Sequence, residues 1–139
     1  MNPLQSLPEY EQFVYTLPQH YASIRYSALT VIRRGATIAL LTGTVELVGG
    51  YRLVAREKLS FAESPGVIAG YGYEIWRGER LLYWYDSQPH PDDLALSETH
   101  PHHKHVPPEI KHHRIPAPGL SSNQPNLPFL IREIENLQA

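Results

Sequence analysis

The chain has 139 residues, of which 42% are hydrophobic, and its formal net charge is −2 at pH 7. This length fits one domain with a core of its own, and this composition excludes a chain that is disordered throughout. The small negative charge argues against a protein that coats nucleic acid with a broadly basic surface. The absence of cysteine excludes disulfides and thiolate metal sites, as is typical of a cytoplasmic protein.

No apolar run approaches the ~18 residues that a membrane-spanning helix needs. The first residues lack the basic and apolar segments of a signal peptide. We therefore expect a cytoplasmic protein without a membrane partner, organised as a single domain over residues 1–139.

The first predicted element is a short helix over residues 6–17. Ser6 is the expected N-cap, and Glu9 completes a capping box. The helix is expected to end before Pro18. Its apolar stripe has helical spacing and consists of Tyr10, Phe13, Val14 and Leu17.

Residues 22–86 have the alternating pattern of β-strands joined by short turns. The apolar residues occupy even positions in Ala36–Leu40 but odd positions in Val45–Leu47, which predicts a bulge or a tight turn at Gly43. Gly49-Gly50 is typical of a hairpin turn. The segment as a whole predicts about five antiparallel strands.

Three more strands follow this hairpin signal. The first is Tyr51–Phe61, and in the second Val67 and Ala69 are expected to share a face with Tyr71. The third, Leu81–Asp86, is apolar on both faces and is therefore expected to be central or covered by a helix.

Residues 88–125 form a predicted loop region rich in histidine and proline, which is long for a connection in a compact domain. Residues 126–138 predict an amphipathic helix capped by Asn126. Its expected buried stripe is Leu127, Leu130, Ile131, Ile134 and Leu137. The predicted class is α+β: a single antiparallel sheet of about five strands, flanked by a short N-terminal helix and a C-terminal amphipathic helix.

Seven of the eight histidines lie within residues 90–113. Imidazole exchanges protons near neutral pH and also binds zinc. An extended backbone places His103 and His105 on one face, and His102 and Lys104 on the other. Two imidazoles about 7 Å apart suit acid–base chemistry or chelation of one ion, and the intervening lysine suits stabilisation of a phosphate. Because the spacing matches no established zinc motif, no metal ligand is assigned and no cofactor is expected, with a divalent metal as the open alternative.

Two further positions break their local pattern. Glu57 has the parity of the apolar residues of its strand, so it either points inward as a candidate base or ligand, or turns to solvent at a bulge near Ala55–Lys58. Tyr85 and Asp86 end the last predicted strand where the histidine-rich region begins, and such strand ends often carry functional groups.

The pattern Tyr83-x-Tyr85-Asp86-x-x-Pro89-His90, followed by Pro101-His102-His103-Lys104-His105-Val106, resembles the TumE-type toxin family of prokaryotic toxin–antitoxin systems. The segment Arg56–Phe61 is also similar, so the resemblance covers roughly residues 35–106. The chain departs from the family pattern at His90, which stands alone between two prolines where paired histidines are usual. The resemblance implies a toxin with a cognate antitoxin as partner.

The leading hypothesis is a toxin-like, metal-independent ribonuclease or a related phosphate-directed enzyme. In it, His103 and His105 exchange protons and Lys104 stabilises the charged transition state. RNA is then a further expected partner. The alternatives are a non-catalytic module in which the histidine cluster binds metal or protein, and a homodimer interface that responds to pH. The predicted catalytic set is His103, His105, Lys104, Tyr85, Asp86 and Glu57, and the predicted binding set is His102, His90 and Tyr83.

Overall fold

The computed structural model describes residues 2–138, in which eight strands form one antiparallel sheet. The strands are β1 (Ile24–Ser27), β2 (Thr30–Arg33), β3 (Ile38–Leu47), β4 (Tyr51–Ser60), β5 (Val67–Arg77), β6 (Arg80–Asp86), β7 (His103–His105) and β8 (Arg114–Pro116). The helices are α1 (Leu7–Tyr15), α2 (Leu17–His20) and α3 (Leu127–Leu137), with 3-10 turns at Pro3–Gln5 and Leu94–Thr99. The α+β class, the single antiparallel sheet and the two flanking helices are confirmed, whereas the expected number of about five strands is wrong.

The strand order is β1-β3-β4-β5-β6-β7-β8, and β2 also pairs with β3, along the same edge as β1. The long central hairpins follow from the alternating pattern of residues 38–86. The two glycines between β3 and β4, Gly49 and Gly50, both have positive φ (88° and 81°), as a tight hairpin turn requires. Within residues 2–138, no helix is long and apolar enough to cross a bilayer.

The N-terminal helix begins as predicted, since the Ser6 hydroxyl accepts a hydrogen bond from the Glu9 amide at 3.3 Å. The end differs: α1 stops at Tyr15, and a second helical turn, α2, carries Pro18 within its first turn. Proline is tolerated there because the first N–H groups of a helix have no partner inside it.

The predicted change of parity at Gly43 does not occur. Pairing of β3 with β4 continues across Gly43, and the buried residues stay on odd positions on both sides of it. Gly43 instead has φ +139° and lies against the edge chain, where an added Cβ would be 2.3 Å from the carbonyl oxygen of Ala28. Glycine is needed at this position because the backbone of β3 comes this close to Ala28, which lies in the connection between β1 and β2. The residues that face the core are therefore Ala39, Leu41, Val45 and Leu47.

A bulge does occur, but in the pairing of β4 with β5. The register shifts between Lys58 and Leu59, so the extra residue lies in β5. As a result Ile68 is buried, at 1% exposure, whereas Val67 is 40% exposed. The expectation that Val67 and Ala69 share a face with Tyr71 is wrong, because the bulge reverses the alternation before that residue.

The histidine-rich region is not a continuous loop. Residues 103–105 form β7, which pairs with β6, and β8 extends the sheet by one more short strand. Pro101 and Pro107 lie two residues outside the two ends of β7, and Pro116 is the last residue of β8, so prolines limit both strands because proline cannot donate to a ladder.

The C-terminal helix follows the prediction except at its ends. Leu127, Leu130, Ile131 and Ile134 are buried as expected, but Leu137 is 42% exposed. Asn126 is in the N-cap position without a side-chain cap bond. Its side chain instead bonds to Ser121 and to the hydroxyl of Tyr73.

The two faces of the sheet carry different groups. Helices α1 and α3 contact the face that includes Glu57, Tyr73 and Tyr85, here called the helix-covered face. The opposite face, here called the histidine face, includes two rows of cross-strand partners: Thr42, Arg56, Gly72, Asp86, His103 and Pro116, and Thr44, Val54, Glu74, Trp84, His105 and Arg114.

Candidate functional site

Asp86, His103 and His105 meet on the histidine face. Asp86 is the cross-strand partner of His103, and His105 lies two residues further along β7, so all three side chains share this face. His103 Nε2 lies 2.7 Å from Asp86 Oδ1 and 3.0 Å from His105 Nε2. His105 Nε2 lies 3.5 Å from Asp86 Oδ2. Both histidines are almost fully buried, at 1% and 3% exposure. We call these three residues the histidine centre.

Backbone carbonyls orient both imidazole rings. His103 Nδ1 lies 3.1 Å from the carbonyl oxygen of Pro101, and His105 Nδ1 lies 3.0 Å from that of Ile110. A carbonyl oxygen can only accept a hydrogen bond, so each Nδ1 carries the hydrogen. Each Nε2 is thereby directed to the middle of the centre.

The surroundings of the histidine centre are aromatic, and they shield both imidazoles from solvent. The Trp84 indole is parallel to the His105 ring, with 3.6 Å between the ring centres, and the His90 ring is 4.8 Å from that of His103. Burial lowers the pKa of His105, and the neighbouring His103 adds to this, against the opposing charge of Asp86. Burial by itself would raise the pKa of Asp86, but the hydrogen bond and charge of His103, the Gln88 amide and the charge of His105 together outweigh it, so that pKa is lowered.

Cationic side chains lie on both sides of the histidine centre. The Arg56 guanidinium covers Gly72, where an added Cβ would be 2.4 Å from it, and Gly72 is the cross-strand partner of Asp86. On the other side, Arg114 is the partner of His105 and lines a cleft of about 760 Å³ that also includes His90. Lys58 contributes to a groove of about 530 Å³ beside Arg56. The face therefore combines titratable groups with groups that bind anions.

Lys104 lies on the helix-covered face, away from the histidine centre. Its amino group is 4.1 Å from the centre of the Tyr83 ring and 3.7 Å from Glu133 Oε2 in α3. Tyr83 and Tyr85 donate hydrogen bonds to the same carboxylate, at 2.7 and 2.8 Å. Lys104, Tyr83 and Tyr85 were predicted to act beside the histidine pair, and the structure places the sheet between them and that pair.

Glu57 is also on the helix-covered face, where it is 3% exposed. It points inward, because β4 keeps an unbroken register with β3 over Tyr51–Ser60 and the extra residue of the bulge lies in β5. The Tyr10 hydroxyl donates to its carboxylate at 2.5 Å, and the Tyr73 hydroxyl donates to the other oxygen. Burial raises the pKa of Glu57 to about 7, although the two hydroxyls oppose the shift. Along residues 2–138, no Lys, Arg or His forms an ion pair with it.

His102 lies just before β7, and its side chain belongs neither to the histidine centre nor to the contacts of Lys104 with Tyr83 and Glu133. Its Nδ1 lies 2.7 Å from the Tyr71 hydroxyl, and its ring stacks on that of Tyr71. Burial lowers the pKa of His102. Of the nine residues predicted for the site, the structure brings together His103, His105 and Asp86, with His90 beside them.

Two residues at the site were not predicted. Arg56 has the opposite parity to Glu57 on the same strand, and the small residues Gly70 and Gly72 on the next strand leave room above it, which is a signal visible in the sequence. Arg114 had no such signal, because β8 lies in the region without periodicity. Its Nε is buried and has no hydrogen-bond partner among the described residues.

Comparison with known proteins places the chain in a family. No curated protein matches the chain, and no solved structure matches it either. A family model described as Toxin TumE matches residues 16–138, nearly the whole chain and including every residue of the histidine centre. The chain therefore belongs to the TumE toxin family.

Proposed function

We propose that this protein is the toxin of a toxin–antitoxin pair and that it cleaves phosphodiester bonds of RNA at the histidine centre. The observation that carries the proposal is the convergence of Asp86, His103 and His105 on one sheet face between Arg56 and Arg114. Membership of a toxin family supports the toxic role. The substrate and the reaction are inferred from the chemistry of this face.

Phosphodiester cleavage needs a group that moves protons and cations that bind the charged phosphate. Imidazoles supply the first requirement, and guanidinium groups supply the second with planar donors that fit phosphate oxygens. Both are present on the histidine face, although the net charge of the chain is only −2. The local arrangement, rather than the overall charge, therefore favours a phosphate-bearing substrate.

RNA is the phosphate-bearing partner that this face fits best. The cationic groove beside Arg56 crosses β3, β4 and β5, and includes Arg34 and Lys58. Such a path of separated cations suits successive phosphates of a strand better than one small anion. Trp84 adds aromatic surface to the same face, where it stacks on His105.

The test is inducible expression of the chain in a bacterial host, with growth and RNA integrity followed over time. Wild type is expected to arrest growth and to shorten the RNA pool. Asp86→Asn and His105→Ala are expected to restore growth and to reduce cleavage by about 100-fold or more, because proton transfer by positioned groups contributes 10²–10⁴-fold. His112→Ala is the matched control, since His112 is an exposed histidine outside the centre.

Purified protein with defined single-stranded RNA extends the test beyond the cell. Equal cleavage by wild type and by the folded Asp86→Asn variant would contradict the assignment of the histidine centre. Growth arrest by wild type with intact RNA would contradict the choice of RNA.

A cognate antitoxin is part of the same proposal. We expect a protein encoded beside this chain to suppress its toxicity and to copurify with it. The homodimer and the pH-sensitive interface stay predictions, which sedimentation at about pH 5.5 and 7.5 would test on either side of the ordinary histidine pKa.

A further inference from the structure

Three electron-rich atoms face one another in the histidine centre. Both Nδ1 atoms carry hydrogens toward carbonyl oxygens, so in the neutral rings both Nε2 atoms present lone pairs. The two Nε2 atoms lie 3.0 Å apart, and that of His103 lies 2.7 Å from the Asp86 carboxylate. Such an arrangement needs a cation, because three acceptors at this distance repel one another. One proton can lie between only two of the three atoms at a time.

A metal ion satisfies all three atoms together. In a tetrahedral zinc site with bonds of about 2.0–2.1 Å, neighbouring ligand atoms lie about 3.3 Å apart. The two Nε2 atoms lie 3.0 Å apart, that of His103 lies 2.7 Å from Oδ1 of Asp86, and that of His105 lies 3.5 Å from Oδ2, so the separations between the three groups bracket that value. Small side-chain movements are enough to equalise them.

The supports of the two rings are also those of a metal site. A metal-binding histidine usually donates its second ring N–H to a carbonyl or carboxylate, which sets the tautomer and the ring orientation. Both histidines do this, with Pro101 and Ile110 as acceptors. Their burial at 1% and 3% exposure suits ligation better than direct contact with a polymeric substrate.

We propose that Asp86, His103 and His105 bind one divalent transition-metal ion, with Zn²⁺ as the expected occupant. Two imidazoles and one carboxylate form a ligand set suited to such ions, and three protein ligands leave a fourth position for water or a phosphate oxygen. This inference deepens the proposed function, since it names what the same centre binds. With both imidazoles as ligands, water at the fourth position would move the proton in their place, which replaces the direct exchange between the rings that the sequence favoured and the role of the imidazoles in the proposed function.

The test is Zn²⁺ binding by the full chain, untagged, purified without a metal column and stripped with a chelator. Calorimetric titration and competition with a chelating dye are expected to show one tight site per chain. Asp86→Asn and His103→Ala are expected to weaken it at least tenfold, the effect that even supporting residues have on metal affinity. His112→Ala is expected to leave it unchanged. This control is essential because eight histidines can bind zinc weakly at many places.

Two readouts avoid variants of the centre, which can fold poorly. Co²⁺ in place of Zn²⁺ is expected to give the visible absorption of a four-coordinate site. In a Trp76→Phe background, Trp84 is the single tryptophan and stacks on His105, so its fluorescence is expected to change on addition of one equivalent of metal. Weak binding at several sites, equal in wild type and in the Asp86 and His103 variants, would overturn the inference.

The same measurements separate this inference from the proposed function. One equivalent of tightly bound Zn²⁺ in a protein that leaves RNA intact supports the metal site and contradicts the nuclease. RNA cleavage by the stripped protein, without a metal site that depends on Asp86, supports the nuclease and overturns the metal site.

Discussion

The two faces of the sheet each bury a carboxylate, and the two carboxylates behave in opposite ways. Asp86 on the histidine face lies beside two imidazoles, and its pKa is lowered despite burial. Glu57 on the helix-covered face accepts hydrogen bonds from two neutral hydroxyls, and burial raises its pKa to about 7. A buried carboxylate is therefore not by itself evidence of a functional site, because its partners decide whether it is held charged or close to neutral.

The largest expected effect is a difference in RNA cleavage between variants of the two buried carboxylates. Asp86→Asn is expected to reduce RNA cleavage by about 100-fold or more, because it removes the charge at the histidine centre. Glu57→Gln keeps the shape of the protonated acid and lies on the other face, so its cleavage rate is expected to stay within about twofold of wild type. Cleavage of a defined RNA by both folded variants measures this, and similar losses in the two would remove the functional distinction between the faces.

The second prediction concerns stability as a function of pH. Since the pKa of Glu57 rises from 4.5 to about 7 in the folded protein, the folded state holds its proton more tightly than the unfolded state. This contribution is fully present below about pH 4.5 and is lost as the pH rises through 7. The free energy of unfolding is expected to fall by roughly 1–3 kcal/mol over this range.

Urea unfolding at several pH values measures the effect. Glu57→Gln is expected to flatten the pH profile, whereas Glu63→Gln, at an exposed position, is expected to leave it unchanged. An unaltered pH profile in Glu57→Gln would mean that Glu57 is not the group responsible.

The third prediction tests the cations of the histidine face. Arg56→Ala is expected to weaken RNA binding about tenfold, and to reduce the slope of log K against log salt by about 0.7, the value for one phosphate contact to a single strand. Fluorescence anisotropy at several salt concentrations measures both quantities. Arg80→Ala, at an exposed position at the far end of β6, is the matched control. A slope that falls equally in both variants would indicate non-specific attraction only.

The smallest expected effect compares two lysines. Lys104→Met removes contacts to Tyr83 and Glu133 on the helix-covered face, so it is expected to cost about 1 kcal/mol of stability and to leave cleavage within about threefold. Lys58→Met, beside the groove, is expected to weaken RNA binding with little change in stability. Thermal unfolding and anisotropy distinguish the two, and a large loss of cleavage in Lys104→Met would return Lys104 to the catalytic set.

Much of the fold could be predicted because alternation and turn residues are local signals. The central hairpins, the N-terminal cap at Ser6 and the stripe of α3 depend on neighbours within a few residues. The strands β7 and β8 could not be predicted, since three-residue strands have too little periodicity and form only because β6 offers a free edge. The bulge in β5 was missed for a related reason, because a register shift is decided by the pairing strand.

For the candidate site, the sequence by itself determined that His103 and His105 share a face, since extended backbone alternates with a period of two. It also placed Asp86 at the end of a strand and Glu57 on a buried parity. Only the tertiary structure decided that Asp86 pairs with His103 while Lys104 and Tyr85 lie on the opposite face. It also placed Arg56 and Arg114 on either side of the histidine centre. The physical reason is that parity is a property of one strand, whereas the identity of a cross-strand neighbour depends on the register between strands that are distant in sequence.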